Sequence, residues 1–307
     1  MSLLAHQLPL THGLFSYKRK WNKKNESYPN IIFDIFATLF RFIENTFIMK
    51  ILVVGAGNMG AWFVESLCLE HDVAVFDMDK RKLRYFFNTH RFVSFDQINA
   101  FAPQLVINAV SLQNTIKAFN ELLPYLPDDC IISDITSVKN GMHDYYQSTG
   151  RRFASTHPMF GPTFASLKEL SSQSAVIIAE SDEEAKEFFR NFYGSLRLNI
   201  YEYTFEQHDQ TMAYSLSIPF ASTMVFAACM KYQEAPGTTF KKHLSIAQGL
   251  LSEDDYLLSE ILLNPHTLPQ IEKIQEKLSQ LNEMIQQKDI KALHEFACEL
   301  RKNIGNG

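Results

Sequence analysis

The chain of 307 residues has 46% hydrophobic and 21% charged residues and a formal net charge of -5. This length allows two domains, while the negative charge argues against nucleic acid as the main partner, because phosphate binding usually needs a basic surface. No uninterrupted apolar run reaches the roughly 18 residues of a membrane span, so none is predicted. The four cysteines lie far apart, which argues against a metal site or a disulfide scaffold and favours a reducing, cytoplasmic location.

Residues 1–48 differ from the rest of the chain. They contain a basic patch around Lys18 and an apolar stretch that Asp34 and Arg41 interrupt. This stretch is too short and too polar to span a bilayer, and no small-residue cleavage site marks a signal peptide. The segment is either a disordered or mis-assigned extension before a native start at Met49, or an amphipathic anchor. We favour the first, because Met49 directly precedes the first predicted strand.

A nucleotide-binding pattern begins at Lys50. Residues 50–54 are short, apolar and rich in β-branched side chains, which predicts a buried parallel strand. A helical stretch from Ala61 to about Glu70 follows, and a second strand from Val73 ends at Asp77. Between the first strand and the helix lies the run Gly55-Ala56-Gly57-Asn58-Met59-Gly60. This order of a strand, a GxGxxG run, a helix, a second strand and an acidic residue, Asp77, predicts a dinucleotide-binding site.

Each part of this pattern has a physical role. Gly55 permits the tight turn, Gly57 lets the backbone approach a pyrophosphate, and Gly60 lets the helix pack close to the strand. The carboxylate of Asp77 is placed to accept hydrogen bonds from the adenosine ribose. Because a carboxylate there repels a 2′-phosphate, NAD is predicted rather than NADP.

Further strands alternate with helical segments and predict an α/β fold: a Rossmann-type, doubly wound, mainly parallel sheet followed by an all-helical C-terminal part. Ligands bind at the carboxyl ends of such strands. Ser111 and Thr136, which follow two of these strands, are therefore predicted to contact the cofactor. The predicted strands are Gln104–Ala109, Cys130–Asp134, Phe153–Ser155, Ser174–Ala179 and Leu198–Tyr203.

Two loops at the same edge carry residues suited to proton transfer. One loop runs from Asp134 to Lys139 and contains Ser137, and the other, which contains His157, runs from Thr156 to Pro162. Histidine titrates near neutral pH and can take the proton of an alcohol as its hydride leaves. A hydroxyl such as that of Ser137 can align the substrate oxygen with the imidazole. The alternative is that His157 and Ser137 only cap a turn and a helix.

The second half of the chain is predicted to be helical, which divides the protein into an extension (1–48), a dinucleotide-binding domain (49–204) and a helical domain (205–307). One long helix is expected from Phe205 to about Lys231. Apolar residues recur at helical spacing between Leu268 and Ile285. That amphipathic stripe packs either within the chain or against a partner. His208 and Asp209, at the start of the long helix, are interpreted as architectural or close to the cofactor.

Three motifs carry a family resemblance: the glycine run, the Asp-x-x-Ser-Val-Lys run at Asp134 and the His-Pro-Met-Phe-Gly-Pro run at His157. Through them the chain resembles prephenate dehydrogenase, most of all the dehydrogenase part of bifunctional chorismate mutase/prephenate dehydrogenases. The resemblance covers about residues 50–305. It implies that His157 is the base on the ring hydroxyl of prephenate and that Ser137 assists it. It also implies NAD as the cofactor and a homodimer through the helical domain. We expect no chorismate mutase domain before Met49 and no regulatory domain after Lys302.

One departure from the family pattern concerns the substrate. Where the family places an arginine that binds a substrate carboxylate, this chain has Gly249. Lys241, Lys242 or Arg197 is the predicted substitute, unless the substrate differs, and a solvent-exposed helix face is the favoured explanation of the two lysines. Three alternatives remain: a prephenate dehydrogenase, an enzyme acting on arogenate or another cyclic hydroxy acid, and a non-catalytic NAD-binding relative.

Overall fold

The computed structural model describes residues 48–160, 170–253 and 255–305. The predicted extension, residues 1–48, therefore lies outside the described residues apart from Ile48. Contacts within the chain group Met49–Gly307 into one compact unit. Its first strand begins at Lys50, the residue at which the sequence pattern begins.

A central sheet is built from the strands of the first part of this unit. These are β1 (Lys50–Val54), β2 (Asp72–Phe76), β3 (His90–Phe92), β4 (Leu105–Asn108), β5 (Ile131–Asp134), β6 (Phe153–Pro158), β7 (Ser174–Ile178) and β8 (Asn199–Tyr203). Within the described residues the sheet has eight strands, in the order β3-β2-β1-β4-β5-β6-β7-β8. Neighbouring strands are parallel except for β6 and β7, which run antiparallel.

Helices cover the sheet on both faces, as successive side chains of β1 show. Ile51 and Val53 pack into one buried cluster, while Leu52 and Val54 pack into a second. A strand that is buried on both faces belongs to a sheet with helices on either side. The predicted doubly wound, mainly parallel fold is thereby confirmed. The helices of this part are α1 (Asn58–Leu67), α2 (Phe95–Phe101), α3 (Thr115–Leu122), α4 (Met142–Thr149) and α5 (Glu183–Ser195).

The residues after Tyr203 are helical, as predicted. The elements are α6 (Phe205–Met212), a π-helical turn (Ala213–Ser217), α7 (Ile218–Cys229), α8 (Thr238–Leu250), α9 (Asp255–Leu262), α10 (Thr267–Gln287) and α11 (Ile290–Gly305). A capping box starts α6: the Thr204 side chain accepts from the Gln207 backbone, and the Gln207 side chain accepts from the Thr204 backbone. The predicted long helix is thus continuous from Phe205, through one π turn, to Cys229.

This helical part leaves much apolar surface exposed. The predicted stripe on α10 is not fully covered: Leu268, Leu278 and Ile285 are each more than half exposed. The helix Phe205–Cys229 is, among the described residues, long and apolar enough to cross a membrane by length and composition alone, and 17% of its most apolar window is buried. The sequence expectation that no span is present was based on a different criterion. That expectation counted uninterrupted apolar residues only. Uncharged polar residues interrupt the apolar sequence of this helix, but the mean hydropathy of its most apolar window stays high.

Candidate active site

The glycine turn after β1 has the form that the sequence predicts. Gly55 has a φ of +97°, and a Cβ there would lie 2.8 Å from the carbonyl oxygen of Ala109. A Cβ on Gly60 would lie 1.8 Å from the carbonyl oxygen of Gly55. By contrast, among the residues that the structure describes, none apart from the adjoining residues of the turn and helix comes within 4 Å of a Cβ built on Gly57. Gly55 and Gly60 are therefore required by the fold itself, whereas the space beside Gly57 is open at the start of α1.

Asp77, directly after β2, closes this turn. Its Oδ2 accepts a hydrogen bond from the backbone N–H of Ala56 at 2.8 Å, and its Oδ1 accepts one from the N–H of Asp79 at 2.7 Å. Two basic residues follow. Nζ of Lys82 lies 3.5 Å from Oδ2 of Asp77. The guanidinium of Arg81 donates hydrogen bonds to both carboxylate oxygens of Asp79. The carboxylate predicted to face the ribose thus lies beside the glycine turn.

A buried polar network follows β5. Oδ1 of Asp134 accepts hydrogen bonds from the hydroxyl of Thr136 at 2.6 Å and from Nζ of Lys139 at 2.6 Å, while Oδ2 accepts from the hydroxyl of Tyr146 at 2.7 Å. Burial alone would raise the pKa of Asp134, but the charge and hydrogen bonds of Lys139 keep that pKa below its usual value. Burial lowers the pKa of Lys139, against the attraction of Asp134. The network fixes the loop that carries Ser137.

His157 lies within a strand and not, as predicted, in a loop. The sequence interpretation ended the strand at Ser155, but β6 continues to Pro158 because His157 pairs with Val176 of the antiparallel strand β7. The last residues of the predicted loop, 161 and 162, lie outside the described residues.

A cavity of about 350 Å³ brings the predicted elements together. Ser137 and His157 both line it, as does Met59 from the glycine run. No hydrogen bond joins Ser137 to His157 within the described part of the chain, so these two residues share a cavity without being hydrogen-bonded to each other. The remaining lining residues are apolar: Ile135, Pro158, Met159, Phe160 and Leu257.

His157 instead bonds to His208, which the sequence interpretation took as architectural or close to the cofactor. Its Nδ1 lies 3.0 Å from Nε2 of His208, and Nδ1 of His208 lies 3.1 Å from Oδ1 of Asp209. Burial, followed by the charges of His208 and Lys139, holds the pKa of His157 well below its ordinary value. The imidazole is therefore neutral at pH 7 and can accept a proton. Sequence spacing gave no sign of this contact, because the two histidines are 51 residues apart.

The other predicted site residues occupy different surroundings. Ser111 is exposed after β4, where its hydroxyl accepts a hydrogen bond from the Asn114 side chain. Thr136 is buried and its hydroxyl donates to Asp134. Lys241 and Lys242 are exposed on α8, and neither lines the cavity. Gly249, on the same helix, is also exposed, and no described residue outside its own helix comes within 4 Å of a Cβ built there.

Comparison with known families concerns the nucleotide-binding part of the chain. Residues 71–197 match the family model "Prephenate dehydrogenase, nucleotide-binding domain". Over these residues the chain is similar to the nucleotide-binding domain of prephenate dehydrogenases. The match begins after the glycine turn and ends at Arg197, close to the start of β8, so it covers most of the sheet.

Relatives of this family are distant in sequence. The "Probable arogenate/prephenate dehydrogenase" of Methanocaldococcus jannaschii is 23% identical over 287 residues, covering 86% of this chain and 63% of that protein. The "T-protein" of Enterobacter agglomerans is 23% identical over 198 residues, covering 61% of this chain and 52% of that protein. The chain thus spans between about half and two thirds of the length of these curated relatives.

Solved structures of the family share the fold. Prephenate dehydrogenase from A. aeolicus, in complex with hydroxyphenyl propionate and NAD+, has a TM-score of 0.73 at 19% identity, covering 84% of this chain and 98% of that one. Synechocystis arogenate dehydrogenase has a TM-score of 0.69 at 17% identity, covering 84% of this chain and 99% of that one. At such low sequence identities, the structural similarity shows only that this chain shares the Rossmann-type fold with its helical C-terminal part.

Proposed function

We propose that the protein is an NAD-dependent dehydrogenase that converts prephenate to 4-hydroxyphenylpyruvate by oxidative decarboxylation. The observation that carries this proposal is the shared cavity, in which the glycine run, through Met59, meets the neutral imidazole of His157. A base beside a nucleotide site is the arrangement that oxidation of an alcohol requires. The names of the relatives, prephenate and arogenate dehydrogenases, support the same reaction class.

The residues around the glycine turn fit NAD. The space beside Gly57 and the N-terminus of α1 suit a pyrophosphate, which Gly57 and Asn58 would hold through their backbone N–H groups, while the N–H of Ala56 is donated to Asp77. Asp77 would accept hydrogen bonds from the adenosine ribose. Ser111 and Thr136, which follow strands that end at the same edge of the sheet, would lie towards the nicotinamide. When bound, NAD supplies a hydride acceptor.

His157 would act on the hydroxyl of the substrate ring. Its Nε2 takes the hydroxyl proton while the ring carbon loses a hydride. The ring carboxylate then leaves as carbon dioxide, the bonding electrons make the ring aromatic, and the phenolic oxygen regains the proton. Ser137, on the fixed loop after β5, would hold the hydroxyl in line with the imidazole. Because aromatisation drives the reaction, the protein mainly positions and polarises the substrate.

The carboxylates of the substrate raise the question of specificity. No side chain with a fixed positive charge is among the described lining residues of the cavity. We propose that Lys241 and Lys242, from the exposed face of α8, bind the carboxylates. The same observation favours arogenate as a second candidate, because its ammonium group lowers the net negative charge that the site must accept.

A direct assay tests this proposal. Purified protein with NAD is mixed with prephenate or arogenate, and the absorbance of the reduced cofactor is followed. We expect turnover of prephenate, and in Lys241→Gln and Lys242→Gln we expect a KM about tenfold higher with little change in kcat, a loss of about 1.4 kcal/mol of binding. Lys273→Gln, an exposed site on α10, serves as the matched control. Turnover of arogenate alone would favour the second candidate, and turnover of neither would refute the activity.

The exposed apolar surface supports a further part of the proposal. We propose that residues 205–307 form a separate substrate and dimerisation domain, and that a second copy covers α7 and the α10 stripe of this cytoplasmic enzyme. None of the residues of α7 is buried within the chain. Exposed apolar area of this kind usually marks an interface. Light scattering coupled to gel filtration should give the mass of a dimer, whereas a monomer, or protein recovered only with membranes, would contradict it.

A further inference from the structure

Three side chains form a hydrogen-bonded row that leads away from the cavity. His157 is in β6, whereas His208 and Asp209 are consecutive residues of α6. The row runs from Nδ1 of His157 to Nε2 of His208, and from Nδ1 of His208 to Oδ1 of Asp209. The His208 side chain is fully buried, while that of Asp209 is 18% exposed. The carboxylate is thus the end of the row that reaches solvent.

The direction of the hydrogen bonds in this row follows from the carboxylate. A carboxylate accepts hydrogen bonds and does not donate them, so the proton of the second bond is on Nδ1 of His208. A neutral His208 then has a lone pair on Nε2 and must accept the first bond. Nδ1 of His157 is its donor, which leaves the lone pair of a neutral His157 on Nε2. That nitrogen makes no hydrogen bond to any residue the structure describes.

The charges around the row favour this neutral arrangement. Besides each other, the groups that face the two histidines are Lys139, Asp134 and Asp209. Burial lowers the pKa of His208, while its bond to Asp209 opposes the decrease and the charge of Lys139 adds to it. A cation on His157 would lie close to Lys139, whereas a proton on His208 lies beside the carboxylate of Asp209. The row therefore stabilises the imidazole in the state that accepts a proton.

We propose that His208 and Asp209 are positioning residues that fix the tautomer of His157, so that Nε2 presents its lone pair to the cavity. This role rests on the proposed function, because it gives His157 the form that a base on the substrate hydroxyl must have. Neither residue is itself among the described lining residues of the cavity, so both act through His157. The arrangement resembles the physics of a catalytic triad, in which a buried carboxylate orients the tautomer of a base.

The tautomer can be measured without substrate. In the full-length protein labelled with ¹⁵N-histidine, the nitrogen shifts and couplings to the ring protons show which nitrogen of His157 carries the proton. His157→Asn assigns the signal. We expect a protonated Nδ1 and a bare Nε2 at pH 7. A protonated Nε2 in the unaltered protein would overturn the proposal, whatever the variants do and whether or not either substrate is turned over.

Variants then connect the tautomer to turnover. His208→Leu removes the acceptor of His157, while His208→Gln offers a side-chain oxygen near the same place. We expect His208→Leu and Asp209→Ala to raise the share of His157 with a protonated Nε2 and to lower kcat by about 10- to 1,000-fold, with KM and NAD affinity within about threefold of normal, since a positioned base is worth about 10² to 10⁴. His208→Gln should recover part of the lost kcat.

A matched control separates this role from general damage to α6. Glu206→Gln removes an exposed charge from the first turn of the same helix and should leave both kcat and the His157 tautomer unchanged. Unchanged kcat in His208→Leu, or a loss of kcat with an unaltered tautomer, would overturn the proposal. If neither prephenate nor arogenate is turned over, the proposed function fails, and the nitrogen spectra of the same proteins still decide the role of the row.

Discussion

The ammonium group of Lys139 lies 2.6 Å from Oδ1 of Asp134, and both side chains are fully buried. Nζ also donates a hydrogen bond to the backbone carbonyl of Thr156 at 2.8 Å. One buried cation therefore links the end of β5, the loop that carries Ser137 and the residue before His157. A buried ion pair with further hydrogen bonds is costly to break from one side, so the two candidate catalytic residues are held by a rigid connection.

The role of His157 can be tested by substitution. His157→Asn should lower kcat by about 10² to 10⁴, the usual contribution of a positioned acid–base group, because asparagine donates a hydrogen bond but cannot take the proton. NAD affinity, measured by calorimetry, should stay within about twofold of normal, since the predicted cofactor contacts lie on Gly57 and Asp77. Ser137→Ala should cost less than His157→Asn. Near-normal turnover in His157→Asn would show that this residue only shapes the strand.

Stability should depend on pH through the same buried histidines. The folded protein lowers the pKa of His157 and of His208 through burial, whereas an unfolded histidine titrates at about 6.5. Below that pH the unfolded chain binds more protons, so the free energy of unfolding should fall as the pH drops. Urea denaturation at a series of pH values would show this decline, and His157→Asn should make it shallower. A slope that is unaffected by the substitution would contradict the assignment.

Cofactor preference should follow from Asp77. Because its carboxylate repels a 2′-phosphate, NAD should bind at least tenfold more tightly than NADP, a difference of about 1.4 kcal/mol. Asp77→Ser should narrow the gap, as measured by titration calorimetry with each cofactor. Asp72→Ser, at the opposite end of β2, is the matched control and should leave the ratio unchanged. Equal affinities in the unaltered protein would refute the preference.

Two glycines of the turn should respond differently to the same change. Gly57→Ala has free space for the methyl group, so the protein should melt within a few degrees of normal yet bind NAD at least tenfold, or about 1.4 kcal/mol, more weakly. Gly60→Ala puts a Cβ 1.8 Å from the carbonyl oxygen of Gly55, and the forced backbone shift should cost about 1–3 kcal/mol of folding stability. The opposite order of effects would show that the pyrophosphate lies elsewhere.

The predicted extension gives a test by truncation. A protein that begins at Met49 should fold and retain its turnover, because β1 begins at Lys50 and its pairings with β2 and β4 start at Lys50 and Ile51. Comparison of melting temperature and kcat with the full chain measures this. Insoluble or inactive truncated protein would show that residues 1–48 contribute to the fold or to the reaction.

Particular residues show why the sequence predicted some features and missed others. The strand at Lys50 and the glycine run are local patterns, and both were found at the expected positions. β3 was missed because its three residues, His90–Phe92, are too few to show a periodicity. The long helix was predicted from Phe205, but the contact of its His208 with His157 was not, since only the folded chain brings α6 against β6. The antiparallel pairing of β7 likewise moved His157 from a loop into a strand.

The position of β1 in the sheet affects how the chain folds. Its neighbours β2 and β4 are both parallel to it and contribute residues 72–76 and 105–108, so each pairing must close a loop before it gains contacts. On the ribosome, β1 gains its second neighbour only after Asn108 has been made, and the last strand ends at Tyr203. Until then, a strand with four of its five residues buried in the finished fold exposes its apolar faces and open edges. Aggregation of nascent chains is therefore expected to be greatest while the sheet is incomplete.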